Sequence, residues 1–440
     1  MTKRAVLAIS ILAALLTGCT NGIEYESAQA PIPGIFASAE PAHGEDRSEL
    51  AHPSGKVTVW SYFQEAGWII PVLRHHYPDI EIELEIFPWD NFIERYLKAM
   101  DDGQAPDVLF ADNNLLSQLV GMRIAEDLTA EPYKGEEIVT AFPESIIAPF
   151  RSLKDDHLFA LPLDIGPGVA YFRRDLFEKA GLPSEPEALS SYLEQPGNWL
   201  AAADKLKKQG SWITSTDYDP IDITVYGSGF FDRELNYVRD SSAFATAIDL
   251  ARQIRARGLA SGLTLNSEAG QEALRDGKTA MFFNGWWYRG SLKAAAPETE
   301  GLWGIMRLPL QVYGWSGSSG TLISSDSDNK AGAWAVVSVL AQQIQNIYAN
   351  SMRMQSGEWP DSGDKFFAYQ RTQALYANLV SRMPPLTPTP MDGKAADIWG
   401  QFIGSSLNST IDATQVLSDI KRLTMDSIQS DIQTLKSQRQ

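Results

Sequence analysis

Cysteine is nearly absent: Cys19 is the single thiol in 440 residues. Disulfides within the chain and metal centres built on several cysteines are thereby excluded. Histidine is scarce, with five residues. His43 and His52 lie in or beside a Pro/Ala/Ser-rich stretch, and His75 and His76 are helix neighbours facing different ways, which leaves His157 alone. No H-E-x-x-H motif, nucleophile elbow, P-loop, zinc spacing or EF-hand loop occurs. Carboxylates are numerous enough for a glycosidase pair, but no segment marks one, and Asp155-Asp156 reads as a solvated turn. The reading is therefore of a chain that is not an enzyme and needs no cofactor or metal. Positive charge is also short: 37 Lys and Arg face 55 Asp and Glu, a formal net charge of -18. That balance argues against nucleic acid, which needs clustered cations, and repels an anionic membrane surface.

What is present begins at the N-terminus. Lys3 and Arg4 precede an apolar run, Ala5 to Leu16, too short to span a bilayer. Leu16-Thr17-Gly18-Cys19 then closes it. The combination resembles a bacterial lipoprotein signal, in which the thiol is diacylated and the chain is cut before it. Two acyl chains anchor stably where one is marginal. Residues 1–18 are thus expected to be a signal peptide, with 19–54 a disordered spacer rich in Ala, Pro, Ser and Glu after a lipidated Cys19. This places the protein outside the cytoplasm, anchored to the bacterial cell membrane.

The remaining length suggests two or three domains, and a hydrophobic fraction of 44% with 12 Trp, 15 Tyr and 18 Phe supplies their cores. Val57 to Trp60 reads as a strand. Ile80, Ile82, Leu84 and Ile86 alternate with Glu81, Glu83 and Glu85, the period of a half-buried strand. Pro88 stops it, Asp90 or Asn91 caps a helix carrying Phe92, Tyr96 and Met100 on one face, and Gly103 ends that helix. Asp107 to Phe110 is another strand and Asn114 to Val120 another helix. Leu158 to Leu163, Gly168 to Phe172 and Thr279 to Phe283 are strand-like; Asp175 to Ala180, Ser241 to Ala256 and most of the chain after Lys394 are helical. The alternation predicts an α/β fold with a mainly parallel sheet.

The motifs then line up with a family. Pro106-Asp107-Val108-Leu109-Phe110-Ala111, Leu158-Phe159-Ala160-Leu161-Pro162, Tyr171 to Leu182, Gly277-Lys278-Thr279-Ala280-Met281 and Ala333-Trp334 follow one another in an order that resembles the extracellular solute-binding lipoproteins of sugar-type ABC importers, the family 1 solute-binding proteins. The chain departs from that pattern at Arg173, where the family has Asn, at Trp315 in the glycine-rich return loop, and at Arg382 to Pro385; Gln355 to Phe367 matches nothing in it. The resemblance implies a two-lobed periplasmic-binding-protein-like fold (type II), hinge-joined lobes with a ligand cleft. It places 55–165 and 308–341 in an N-terminal lobe, and 166–307 and 342–440 in a C-terminal lobe. It also implies a carbohydrate ligand, ABC transporter permease subunits as partners and a monomer.

A sugar has apolar C–H faces and a rim of hydroxyls, so its site needs aromatic platforms beside amides and carboxylates. Such residues follow the expected strands: Tyr62, Phe63, Gln64 and Glu65; Trp89 and Asp90; Asp112 and Asn113; Asp164; Asn284, Trp286, Trp287 and Tyr288; and Trp315. Asp90 and Asn113 equally suit helix caps, Trp60 suits the core, and Glu65 suits a solvated turn. Trp89 and Trp315 are balanced between platform and lobe packing, and Asp112 and Asp164 are favoured as ligand contacts. The expected ligand-binding set is Tyr62, Gln64, Trp89, Asp112, Asn113, Asp164, Asn284, Trp286, Trp287, Tyr288 and Trp315. Three other readings stand beside a sugar importer component: a binding protein for a polyamine or other cationic solute, since aromatics with carboxylates suit cations; a lipid-anchored glycosidase; and a signalling or adhesion lipoprotein. The anchor has a direct check. Cys19→Ser is expected to move the protein from the membrane to the soluble fraction, and membrane association of the mutant would contradict the assignment.

Overall fold

A computed structural model describes residues 52–64, 66–120, 122 and 124–438; the expected signal peptide, Cys19, nearly all of the spacer and Glu65 lie outside them. Seven strands organise the described residues: β1 (Gly55–Ser61), β2 (Ile80–Ile86), β3 (Val108–Asp112), β4 (Leu161–Arg173), β5 (Met281–Gly285), β6 (Trp303–Arg307) and β7 (Trp315–Ile323). They connect in the order β2-β1-β3-β7-β4-β5, with β6 also on β4. β2 is an edge strand. Its isoleucines and leucine are more buried than its glutamates, whose charges blunt an edge open to pairing. β3 is central and buried throughout.

The expectation of a mainly parallel sheet is corrected. β1 runs parallel to β2 and β3, but β7 is antiparallel to β3 and β4, and β5 and β6 are antiparallel to β4. Strand–helix alternation holds only through β3. Beyond it the chain crosses between sheets on extended segments, and an antiparallel return needs no helical crossover.

β4 also corrects the expectation of two strands. One strand pairs with β7 through Leu161 to Pro167 and with β5 and β6 through Val169 to Phe172. Pro162 and Pro167 lack the N–H a ladder needs, and the register with β7 shifts between Pro162 and Asp164 and again between Ile165 and Pro167. The strand is interrupted but not ended. Two sheets therefore share it, each covered by helices, and together they make two lobes.

Apolar packing follows this division only in part, since the cluster that fills the first lobe runs on into Tyr171, Phe282, Trp303 and Ile305 of β4, β5 and β6. Val57, Val59, Phe110, Leu322 and the first half of the helix Lys330–Ser356 fill the first lobe. Phe172, Phe177, Trp199, Met281 and Met306 pack in the second. A third cluster joins the C-terminal helices Asp392–Ser406 and Ala413–Gln438 to Ser242–Arg257 through Phe244, Ile248, Trp399, Leu417 and Ile420. The expected cuts at 165 and 341 fall inside β4 and inside the helix Lys330–Ser356, and the expected cut at 307 falls at the end of β6.

The two crossing strands touch where side chains are missing. A Cβ on Gly166 would penetrate the Gly317 carbonyl oxygen, and Gly317 itself has φ +106, a value that L side chains rarely adopt. Gly166→Ala is therefore expected to lower the unfolding free energy by on the order of 1–3 kcal/mol, the usual cost of overpacking, and with it the denaturant midpoint. Gly197→Ala, where a Cβ meets open space, should leave it nearly unchanged. Equal midpoints for both variants would show slack between the strands.

Candidate ligand-binding cleft

The chain ends of the strands converge on a cavity of about 1630 Å³. The segment after β1 brings Tyr62 and Phe63, the turn after β2 brings Trp89, and the end of β3 brings Asp112 and Asn113. β4 contributes Asp164 where its ladder is broken. Asn284, Trp286 and Trp287 arrive from the end of β5, and Trp315 to Ser319 from β7. Two expected residues lie elsewhere, which corrects the sequence reading. Gln64 is exposed outside the cleft lining and donates to the Phe87 carbonyl at 3.3 Å. Tyr288 is buried in the core, edge-on to Tyr171 and Phe282.

The aromatic walls are held by polar contacts at their edges. Tyr62 shares a hydrogen bond of 2.6 Å with Ser319 Oγ, and its ring lies edge-on to Trp89. Trp315 Nε1 donates to the Pro384 carbonyl at 2.8 Å, and Trp287 Nε1 to the Ser316 carbonyl at 3.2 Å. Indole N–H groups engaged in this way leave the ring surfaces as what these residues can offer a ligand. Trp287 is half-buried, and its ring folds back across Gly285, where any Cβ would collide with it. Trp286 is 5% exposed, packed against Tyr376 with the Arg289 guanidinium 4.0 Å over its ring centroid.

The carboxyls divide by partner. Asp112, favoured as a ligand contact, is the N-cap of the helix Asn113–Leu119: its Oδ1 accepts from Leu115 N at 2.9 Å and its Oδ2 from Asn114 Nδ2 at 3.0 Å. Asn113, which suited the cap, instead accepts from Ser318 Oγ at 2.7 Å. The one-residue exchange follows from where β3 stops. Asp90 likewise yields to Asn91 at the next position, which caps by backbone alone. Asn284 Oδ1 accepts from Gly285 N at 2.7 Å. Burial pushes Asp112 up to about 6 against the bonds it accepts from Leu115 and Asn114. Burial likewise pushes Asp164 up to about 6, opposed by the Ile165 amide and the Arg289 charge.

Several cleft residues had no place in the sequence reading. Arg289 follows Trp286 by three residues in the turn that opens the helix Arg289–Ala295, and its position beside three aromatics was the available signal. Lys293 reaches Asp364 at 2.6 Å. Asp361 ties its own loop, accepting from Gly363 N at 3.1 Å and Ala374 N at 3.2 Å. Both carboxylates belong to the stretch that matched no motif, and that stretch forms a wall of the cleft. The helix Lys330–Ser356 adds Ile344, Ile347 and Met354. Arg239, 7% exposed, stacks 3.5 Å over Phe230 and donates to the Ser228 and Gly229 carbonyls at 3.2 Å each. Among the described residues, no three His, Cys, Asp or Glu side chains form a metal-binding group, and no helix is long and apolar enough to cross a membrane.

Residues 60–345 match the family model described as bacterial extracellular solute-binding protein. A relative in Brucella abortus (strain 2308), bearing only the generic name of a binding protein, is 26% identical over 329 residues, 70% of this chain and 75% of its own length. The arabinooligosaccharide-binding protein of Halalkalibacterium halodurans is 24% identical over 275 residues, 58% of this chain and 60% of its own. Among solved structures, the galacto-N-biose-/lacto-N-biose I-binding protein of the ABC transporter from Bifidobacterium longum, in complex with lacto-N-biose, superimposes with a TM-score of 0.68. It is 15% identical, and the match covers 86% of this chain and 98% of that one.

The raised Asp164 carboxyl carries a pH signature. The folded chain holds this proton up to about 6, while an unfolded carboxyl releases it near 3.8. Over that window the folded state binds more protons, so stability falls as pH rises through it. Asp164→Asn removes the effect. In urea titrations without ligand, the variant is expected to exceed wild type most at about pH 8, with the gap closing toward about pH 4. A gap that grows on acidification would contradict the assignment.

Proposed function

Because the chain belongs to the family of bacterial extracellular solute-binding proteins, we propose that it is the extracytoplasmic substrate-binding component of an ABC importer, that it captures an oligosaccharide, and that it passes it to a membrane permease. The observation that carries this reading is the cleft itself. Its volume of about 1630 Å³ exceeds the roughly 300–1,000 Å³ usual for small-molecule sites, so a single monosaccharide would leave much of it unfilled. Indole and phenol rings alternate around it with amides, hydroxyls and carboxyls. The arabinooligosaccharide and lacto-N-biose ligands named for the relatives are of the same chemical class.

The mechanism is binding and closure. The lobes in this reading are 55–165 with 308–341, and 166–307 with 342–440, joined where β4 and β7 cross. Closure is driven only as far as the ligand prefers the closed state. Micromolar affinity corresponds to about -8 kcal/mol, within reach of a few stacked rings and hydrogen bonds. Cys19 is the lipid anchor in this reading, the protein acts as a monomer, and it performs no chemistry on the sugar. Arg239 and Arg289 on the cleft count against a polyamine or other cation.

Calorimetric titration with a panel of oligosaccharides tests the proposal. Trp287→Ala is expected to weaken binding by about tenfold or more, as loss of an aromatic anchor does, without lowering the melting point of the unliganded protein. Trp286→Ala removes a ring packed beneath Arg289 and should lower both. Identical titration curves for wild type and both variants would remove the aromatic platform from the mechanism.

A further inference from the structure

Arg289 is a cleft cation without an ion-pair partner among the described residues. Its Nε donates to the Trp286 carbonyl at 2.9 Å, and its guanidinium carbon lies 4.0 Å from the Trp286 ring centroid. Among the described residues no carboxylate stands within ion-pair distance of it, and neither Nη has a protein acceptor. Other arginines withdrawn from solvent are matched: Arg173 with Asp175 at 2.9 Å, Arg151 with Glu136 at 2.6 Å, and Arg307 with Glu194. Arg239, the second cleft arginine, gives its donors to two backbone carbonyls. The groups around Arg289 are already engaged. Asp364 accepts from Lys293, Tyr171 donates to the Gly285 carbonyl at 2.8 Å, and Tyr376 donates to the Ile165 carbonyl at 3.2 Å. Asp164 is felt only as a more distant charge, and burial pushes that carboxyl towards its neutral form.

Arg289 is half-buried on the cleft wall, and a partly desolvated charge is costly until it is paired and hydrogen-bonded. A guanidinium offers two parallel N–H donors that match a carboxylate better than they match a lone hydroxyl. We propose that the captured oligosaccharide carries a carboxylate, as uronic-acid residues do, and that the Nη groups of Arg289 bind that carboxylate while the neighbouring indoles hold the sugar faces. The inference rests on the carbohydrate reading above and narrows its ligand class. Trp286 then serves as a platform for the arginine, and the half-buried Trp287 and Trp89 as platforms for sugar.

The test uses matched ligands. The full chain is titrated with oligogalacturonides, oligomannuronates and glucuronate-bearing xylo-oligosaccharides, each beside its carboxyl-reduced neutral form, which keeps linkage and length. At least one acidic oligosaccharide is expected to bind about tenfold or more tighter than its reduced form, in keeping with a charge-assisted bidentate contact. Arg289→Gln should collapse that ratio to near one, and Arg289→Lys should keep part of it. Equal affinity for acidic and reduced forms in the wild-type protein would overturn the inference and leave the carbohydrate reading standing. A preference that persists in Arg289→Gln would overturn Arg289 as its source. Failure of every saccharide, acidic or neutral, in this panel and in the neutral panel would remove both readings.

Discussion

Two lobes share one strand, and the rest of the molecule is arranged around that constraint. β4 must satisfy a ladder with β7 at one end and ladders with β5 and β6 at the other. Within the ladder to β7 it carries two prolines that cannot donate, and Gly166, whose missing side chain leaves room for the Gly317 carbonyl oxygen. Regular pairing is impossible there, so the backbone at the crossing is extended, weakly laddered and free of side-chain bulk. A rigid sheet running through both lobes would fix their separation. An interrupted one lets each lobe keep its own core while the gap between them remains a cavity, and it places Asp164 on that cavity's floor.

The cleft inherits its polarity from this arrangement. Strand ends supply aromatic residues whose polar atoms are tied to the scaffold, so ring surfaces are presented in fixed orientations. Binding energy is then not spent on ordering the walls. The charged groups are less evenly settled. Asp112 is consumed by a helix cap and Lys293 by Asp364, while Asp164 and Arg289 share the floor without reaching each other. A pocket that holds an incompletely matched cation beside indole rings is suited to a ligand that brings apolar faces and an anionic group together.

The C-terminal third completes the site from outside the strand framework. The helix Lys330–Ser356 begins as core, with Ala333 to Leu340 against the first sheet, and continues past it to line the cleft with Ile344, Ile347 and Met354. The following loop returns Asp361 and Asp364 to the same wall. The last two helices pack on Ser242–Arg257 through their own apolar cluster and brace the second lobe. The loop is tied to the second sheet as well, since the Gln370 side chain bonds both to the amide and to the carbonyl of Ile305 in β6 and the Phe366 carbonyl accepts from Gly301 N.

Local pattern determined much of this protein. Glutamates alternating with isoleucines specify β2 whatever surrounds it, because a period of two has one buried face. The same is true of the helix that carries Phe92, Tyr96 and Met100. Strand-end aromatics were legible in part for a related reason: parallel strands place the residues that follow them at one end of a sheet, as with Tyr62 and Trp89, whereas Trp315 joins them by beginning an antiparallel strand and Trp287 comes from the second sheet. Strand direction was not legible, since nothing in the segment Trp315–Ile323 says which neighbours it will find. Nor was the division of labour between Asp112 and Asn113, which depends on where the ladder stops to within one residue. Tyr288, adjacent to two cleft tryptophans, turns into the core because the backbone turns there. The pairing of Lys293 with Asp364, and its absence at Arg289, joins positions far apart in the chain. Such matches are set by the folded distances between lobes, and only the tertiary structure decides them.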